Sequence, residues 1–201
     1  MSLMTGTIRA AIARAGFKLS GWRHLPGVVP GTSGPSILIG APHTSNWDFI
    51  FMLGITWDLG IKTKFLGKHT LFKPPFGFIM RWLGGIPVER SQAHGLVDQI
   101  VSATQKDPSF SLVVTPEGTR GAGTYWKSGF YRISLQAGMP IILGYLDRAT
   151  KTCGLGVEFT PTGDVHKDMD FIRAFYADKG GYKPHLKTEP RLREEDEQPG
   201  N

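Results

Sequence analysis

Cysteine is nearly absent from this 201-residue chain: Cys153 stands alone, which rules out a disulfide within the chain and a zinc site built from several thiolates. That usage fits a reducing compartment. Long apolar runs are missing too, since the longest, 49–57, falls far short of the roughly 20 residues that span a bilayer. The uncharged stretch 25–47 carries Pro26, Pro30, Pro35 and Pro42, which a continuous helix does not tolerate. No secretory leader is visible, because residues 1–24 alternate basic and apolar side chains where a leader needs an unbroken apolar stretch and a small-residue cleavage site. The expectation is a cytoplasmic protein whose contact with a membrane is peripheral. No repeat of solenoid length and no nucleic-acid-binding motif is present.

What the chain does contain is apolar material for a core, with 40% hydrophobic and 11% aromatic residues. Its length fits one domain with an appendage. Glycine (26) and proline (14) make up about a fifth of the residues, so turns and loops are abundant. The net charge of +6 favours phosphates, anionic lipid surfaces or nucleic acid, and charge alone does not choose among them.

Residues 1–24 read as an amphipathic helix, with Ile8, Ile12, Ala15, Leu19 and Trp22 at helical spacing and Arg9, Arg14, Lys18 and Arg23 on the flanks. Two uses are open: packing on the domain's own core, or also touching an anionic membrane, which Phe17, off the main stripe, mildly favours. A Pro/Gly-rich connector then leads to a buried strand at 36–40, after which strands and helices alternate. Helices are expected at 46–59, 75–83, 93–105, 127–137 and 167–177, and strands at 63–67, 85–88, 110–115, 140–146 and 155–159. This is the pattern of an α/β fold: a mostly parallel or mixed central sheet flanked by helices. The domain is expected at 25–182, followed by a polar, weakly ordered tail at 183–201.

The chemistry gathers around Pro42-His43-Thr44-Ser45-Asn46-Trp47-Asp48. On one continuous helix, residues five apart sit about 140° apart around the axis and their side chains do not meet. His43 and Asp48 therefore pair only if His43 precedes a helix that starts near Asn46, with Thr44 or Ser45 as its cap. In that arrangement the carboxylate fixes the imidazole's tautomer, and the other ring nitrogen is free to take a hydroxyl proton. The pair is a general base without a protein nucleophile, so the nucleophile falls to the substrate. A role for these residues in capping alone is the structural alternative. Thr115-Pro116-Glu117-Gly118-Thr119-Arg120 also follows an apolar strand and should reach the same carboxyl edge of the sheet. Gly84-Gly85-Ile86-Pro87-Val88-Glu89-Arg90 ends another with a guanidinium suited to phosphate.

Together these segments resemble the glycerolipid acyltransferase family, which includes the lysophosphatidic acid acyltransferases. His43 to Asp48 is similar to the family's H-x-x-x-x-D block, the segment ending in Arg90 to its G-x-I-x-I-D-R block, and the segment ending in Arg120 to its F-P-E-G-T-R-S block. Gly138-Met139-Pro140-Ile141-Ile142 resembles the fourth, V-P-I-V-P, and Lys68, Leu71, Pro74 and Gly77 resemble the family's intervening sequence. The resemblance implies that His43 is the base and Asp48 its orienting partner. It implies too that Arg90, Glu117, Gly118, Thr119 and Arg120 form the acceptor or phosphate site, with Lys68 and Lys127 adding positive potential. An acyl group would pass directly from acyl-coenzyme A or acyl-carrier protein, as substrate, to a lysophospholipid hydroxyl, with no metal, cofactor or acyl-enzyme. The residues agree on the last point, since no G-x-S-x-G elbow exists and Cys153 lies outside every block. Glu89, Gly121 and Gly144 replace the family's aspartate, serine and proline, which leaves the acceptor open, including a hydroxylated lipid without phosphoglycerol. Two other readings are a thioester hydrolase in which His43 activates water, and a non-catalytic module for anionic membranes or nucleic acid. Exposed aromatics that would serve lipid access are sought among Trp47, Trp57, Trp82 and Trp126.

Overall fold

Ile37, Leu38 and Ile39 follow one another without a polar break because their strand is covered on both faces, and all three are almost wholly buried. The computed structural model describes residues 2–25, 27–28, 34–88, 95–106 and 109–197. In chain order the elements are α1 (Ser2–Ser20), β1 (Arg23–His24), β2 (Ser36–Gly40), α2 (Trp47–Asp58), β3 (Thr63–Lys68), α3 (Gly77–Trp82), β4 (Gly85–Val88), α4 (Leu96–Lys106), β5 (Ser111–Val114), α5 (Gly129–Ala137), β6 (Ile141–Asp147), β7 (Thr152–Phe159) and α6 (Val165–Tyr176). The sheet order is β1-β7-β6-β2-β5-β3-β4. Strands β6, β2, β5, β3 and β4 run parallel, β7 is antiparallel to β6, and β1 pairs with β7 in parallel.

Alternate side chains of the central strands feed two cores. Ile37, Ile39, Leu112, Ile141 and Leu143 pack with α4, α5 and α6 through Ile100, Phe130, Met169 and Ile172. Leu38, Val113 and Ile142 face the other way and pack with α1 and α2 through Phe17 and Ile55. The result is an α/β sheet with helices on both faces, as the alternating pattern predicts. From β2 the chain crosses towards β3 on one side of the sheet, whereas from β5 it crosses to β6 on the other. Their exit loops lead to helices on opposite faces from the carboxyl edge, the switch point where such sheets place ligands.

The first helix buries a different face from the one its apolar stripe predicts. Ile8, Ile12 and Leu19 are exposed, and Ala13 and Phe17 are buried against α2. Phe17 fits over Gly54, where an added Cβ would come within 2.9 Å of its ring. The same face carries Arg9, whose guanidinium lies over the rings of Trp57 and Trp82 at 5.5 and 4.3 Å. Asp58 completes the anchorage, receiving Arg14 from α1 and His24 from β1, each at 2.6 Å. Trp47 and Trp82 are exposed, while Trp126 is buried in the core.

The polar segment expected to be weakly ordered departs from that expectation over its described part, 183–197. It forms 3-10 turns at Pro184–Leu186 and Arg193–Glu195, and Leu192 is fully buried. Arg173 of α6 holds it by donating to the Pro190 carbonyl and the Glu195 carboxylate at 3.0 and 2.7 Å. One anchor residue and a few paired charges fix the segment, which average composition does not register.

Candidate active site

His43 stands between β2 and α2, with Asp48 in the first turn of that helix. His43 Nδ1 and Asp48 Oδ2 are 3.1 Å apart, close enough for an ion pair, although out of line for a hydrogen bond. Alignment of such pairs commonly tightens only when substrate is bound. The capping hydroxyl works differently from expectation. Asn46 is the N-cap and makes no side-chain cap bond; the Ser45 hydroxyl instead accepts from the Trp47 amide at 3.2 Å. Asp48 reaches back, its Oδ2 accepting from the amides of Thr44 and Ser45 at 2.7 and 2.8 Å. One carboxylate oxygen thus shapes the loop that presents the imidazole.

Glu117 comes from the loop after β5 and lies beneath His43, only 4% exposed. Its Oε1 accepts the His43 backbone N–H at 2.7 Å, and Oε2 is buried without a hydrogen-bond partner. Burial pushes this carboxyl up to about 7 and the Asp48 charge acts in the same direction; the His43 amide, the His43 ring and the Thr188 backbone oppose them. Glu117 braces the histidine loop from below. Gly118, at φ +67, turns the chain with its N–H close to the Thr115 carbonyl at 3.0 Å, and the stem of Lys127 packs over it. Thr119 and Arg120 continue on the exposed side of that loop, and Lys127 is exposed as well.

Four of the expected residues, His43, Asp48, Glu117 and Gly118, are therefore brought together where the β2 and β5 loops meet. Lys68 is exposed at the end of β3, a parallel strand that reaches the same edge. Strand β4 ends there too, and Arg90, two residues beyond it, lies outside the described residues. Two long-range contacts of the site carried no sequence signal. Thr44 is buried and its hydroxyl accepts from the Lys183 amide at 3.0 Å; Thr188, also buried, accepts from the Gly123 amide at 2.9 Å. Their partners lie 139 and 65 residues away in the chain, beyond any periodicity. Cys153 is fully buried, and burial pushes its thiol up to about 12, so it is no nucleophile.

A histidine beside a carboxylate at the carboxyl edge of a doubly covered α/β sheet puts a candidate general base where such sheets take their ligands. The acyltransferase family profile matches residues 20–143, and the chain belongs to that family. Its fold is similar to the crystal structure of PlsC, the 1-acyl-sn-glycerophosphate (LPA) acyltransferase from Thermotoga maritima, with a TM-score of 0.60 and 15% sequence identity, covering 85% of this chain and 77% of that one. Comparison with curated proteins finds no match.

Proposed function

We propose that this acyltransferase moves a fatty acyl group from acyl-coenzyme A or acyl-carrier protein to the hydroxyl of a lysophospholipid such as lysophosphatidic acid, with His43 as base and Asp48 as its orienting partner. The observation that carries the reading is the 3.1 Å approach of His43 Nδ1 to Asp48 Oδ2 at the carboxyl edge of the sheet, which leaves Nε2 for a substrate proton. His43 Nε2 takes the hydroxyl proton as the alcohol oxygen attacks the thioester carbonyl. The tetrahedral adduct then expels the thiolate, which recovers the proton from the imidazolium, giving ester and free thiol. Asp48 stabilises the imidazolium between the two steps. Lys68, Arg90, Arg120 and Lys127 supply positive charge for the phosphates of donor and acceptor.

Access to lipid is supported by where the apolar surface lies. Apart from Leu25, Leu135 and Phe171, every exposed large hydrophobic among the described residues belongs to α1, α2 or the 71–82 segment. Leu19, Trp47, Phe76, Phe78 and Trp82 are the most prominent, all on elements that cover one face of the sheet or border it. No helix is long and apolar enough to cross a membrane among the described residues. The fit is to a peripheral site on the cytoplasmic face of an anionic membrane.

The test is ester formation from a labelled acyl thioester, with and without lysophosphatidate, using His43→Ala as blank. Wild type should form ester only with acceptor, and the variant should lose about 10²- to 10⁴-fold while remaining folded. Thiol release at the same rate without acceptor would make the protein a hydrolase, and a normal rate in folded His43→Ala would remove the histidine as base.

A further inference from the structure

The segment 180–192 follows α6, passes the end of β6 and crosses both loops of the site before re-entering the core. At its start Gly180 N donates to Asp147 Oδ1 and Arg148 N to the Gly181 carbonyl, each at 3.2 Å; at its end Leu192 is fully buried. Between these anchors the strap presses against the histidine loop. Gly181 has φ +71, and a Cβ there would stand 3.0 Å from Pro42 Cβ and 3.3 Å from Thr44 Oγ1, so only glycine permits this approach. Lys183 N then donates to Thr44 Oγ1 at 3.0 Å. Five residues on, the strap clasps the other loop: Thr188 Oγ1 accepts from Gly123 N at 2.9 Å, and the Thr188 backbone borders the Glu117 carboxyl. Trp126 N closes the contact by donating to the Arg191 carbonyl at 2.7 Å.

We infer that this strap positions the base, with Thr188 as a positioning residue that holds the Glu117 loop against His43 and the Lys183–Thr44 bond as its second clasp. The physical reason is that both loops leave the sheet edge without a strand partner, and His43 N hangs on Glu117 by a single side-chain bond. Whatever fixes Glu117 fixes His43. A plain stabilising tail would spread its polar contacts over the surface. Here three of the bonds between the anchors go to residues 44, 123 and 126, in the two site loops, beside two that tie the strap to α6 through Arg173 and the Tyr176 carbonyl. The strap also lies beyond residue 143, where the family profile stops matching. The inference rests on the assignment of His43 as base.

The experiment compares Thr188→Val, which keeps shape and removes the acceptor, with Thr188→Ser, which retains it, and with Thr44→Ala, which removes the acceptor of the Lys183 amide. With labelled acyl thioester and lysophosphatidate, Thr188→Val and Thr44→Ala should lower kcat about tenfold or more, with KM for the thioester within about twofold and Thr188→Ser near wild type. Melting temperatures should show the valine variant folded at the assay temperature. In parallel, ethoxycarbonylation of His43 by diethyl pyrocarbonate, followed by peptide mapping, should differ about threefold or more between wild type and Thr188→Val, a readout that needs no acceptor. Wild-type kcat and wild-type His43 reactivity in the valine variant overturn the inference, as does loss in proportion to unfolded protein in both variants. A fully active His43→Ala sinks the catalytic assignment instead, whereas a silent His43→Ala beside a normal Thr188→Val sinks only the strap.

Discussion

Glu117 carries the clearest physical signature of any single residue in the site: a carboxyl with one oxygen on the His43 amide and the other enclosed without a partner. Because its folded value is raised to about 7 from 4.5, the native protein keeps a proton between these values that the unfolded chain has released. Its contribution is therefore complete below about pH 4.5 and is lost as pH rises through about 7, a fall of roughly 3 kcal/mol across the window. Glu117→Gln keeps an acceptor for His43 N and removes the titration. Melting temperatures from pH 5 to 8 should drop for wild type relative to the glutamine variant, and parallel curves would show that Glu117 does not titrate there. At this scale the His43–Asp48 pair was legible because five residues of local chain decide whether the two meet. The brace was not, since the 74 residues separating His43 from Glu117 contain three further strands, whose pairing sets where the loops meet.

Helix α1 shows how packing overrides a stripe read from spacing. The exposed stripe Ile8, Ile12 and Leu19 is the more hydrophobic, and the buried one includes Arg9. The buried face wins because α2 offers a gap at Gly54 that Phe17 fills, and Trp57 of α2 and Trp82 of α3 offer ring faces to the Arg9 guanidinium. Phe17→Ala should cost about 3 kcal/mol in denaturant unfolding. Ile8→Ser with Ile12→Ser should stay within about 0.5 kcal/mol per site of wild type yet weaken vesicle binding several-fold by sedimentation. Equal stability losses at the two faces would mean that the helix is held differently. The strap makes the same point for a segment with hardly any hydrophobicity, whose order comes from Leu192, Arg173 and two threonine clasps.

For the whole molecule, net charge and apolar surface act together. On the proposed peripheral reading, a charge of +6 would attract the protein to anionic lipid over a screening length of about 8 Å at physiological salt, and the exposed aromatics of α2 and α3 would then bury in the interface. Binding should be stronger to anionic than to zwitterionic vesicles and should weaken at 0.5 M salt without vanishing; binding indifferent to both would leave the basic charge without a role at the membrane. The alternation of strand and helix, the two-sided burial of the central strands and the spacing of His43 and Asp48 were determined by the sequence itself, because each depends on contacts within a turn, a strand or a short loop. Tertiary structure alone decided which face of α1 turns inward, that Glu117 lies under the histidine, and that the polar end of the chain crosses the site. Those depend on partners dozens of residues away, whose shape and hydrogen-bonding needs exist only once the sheet has brought its edges together.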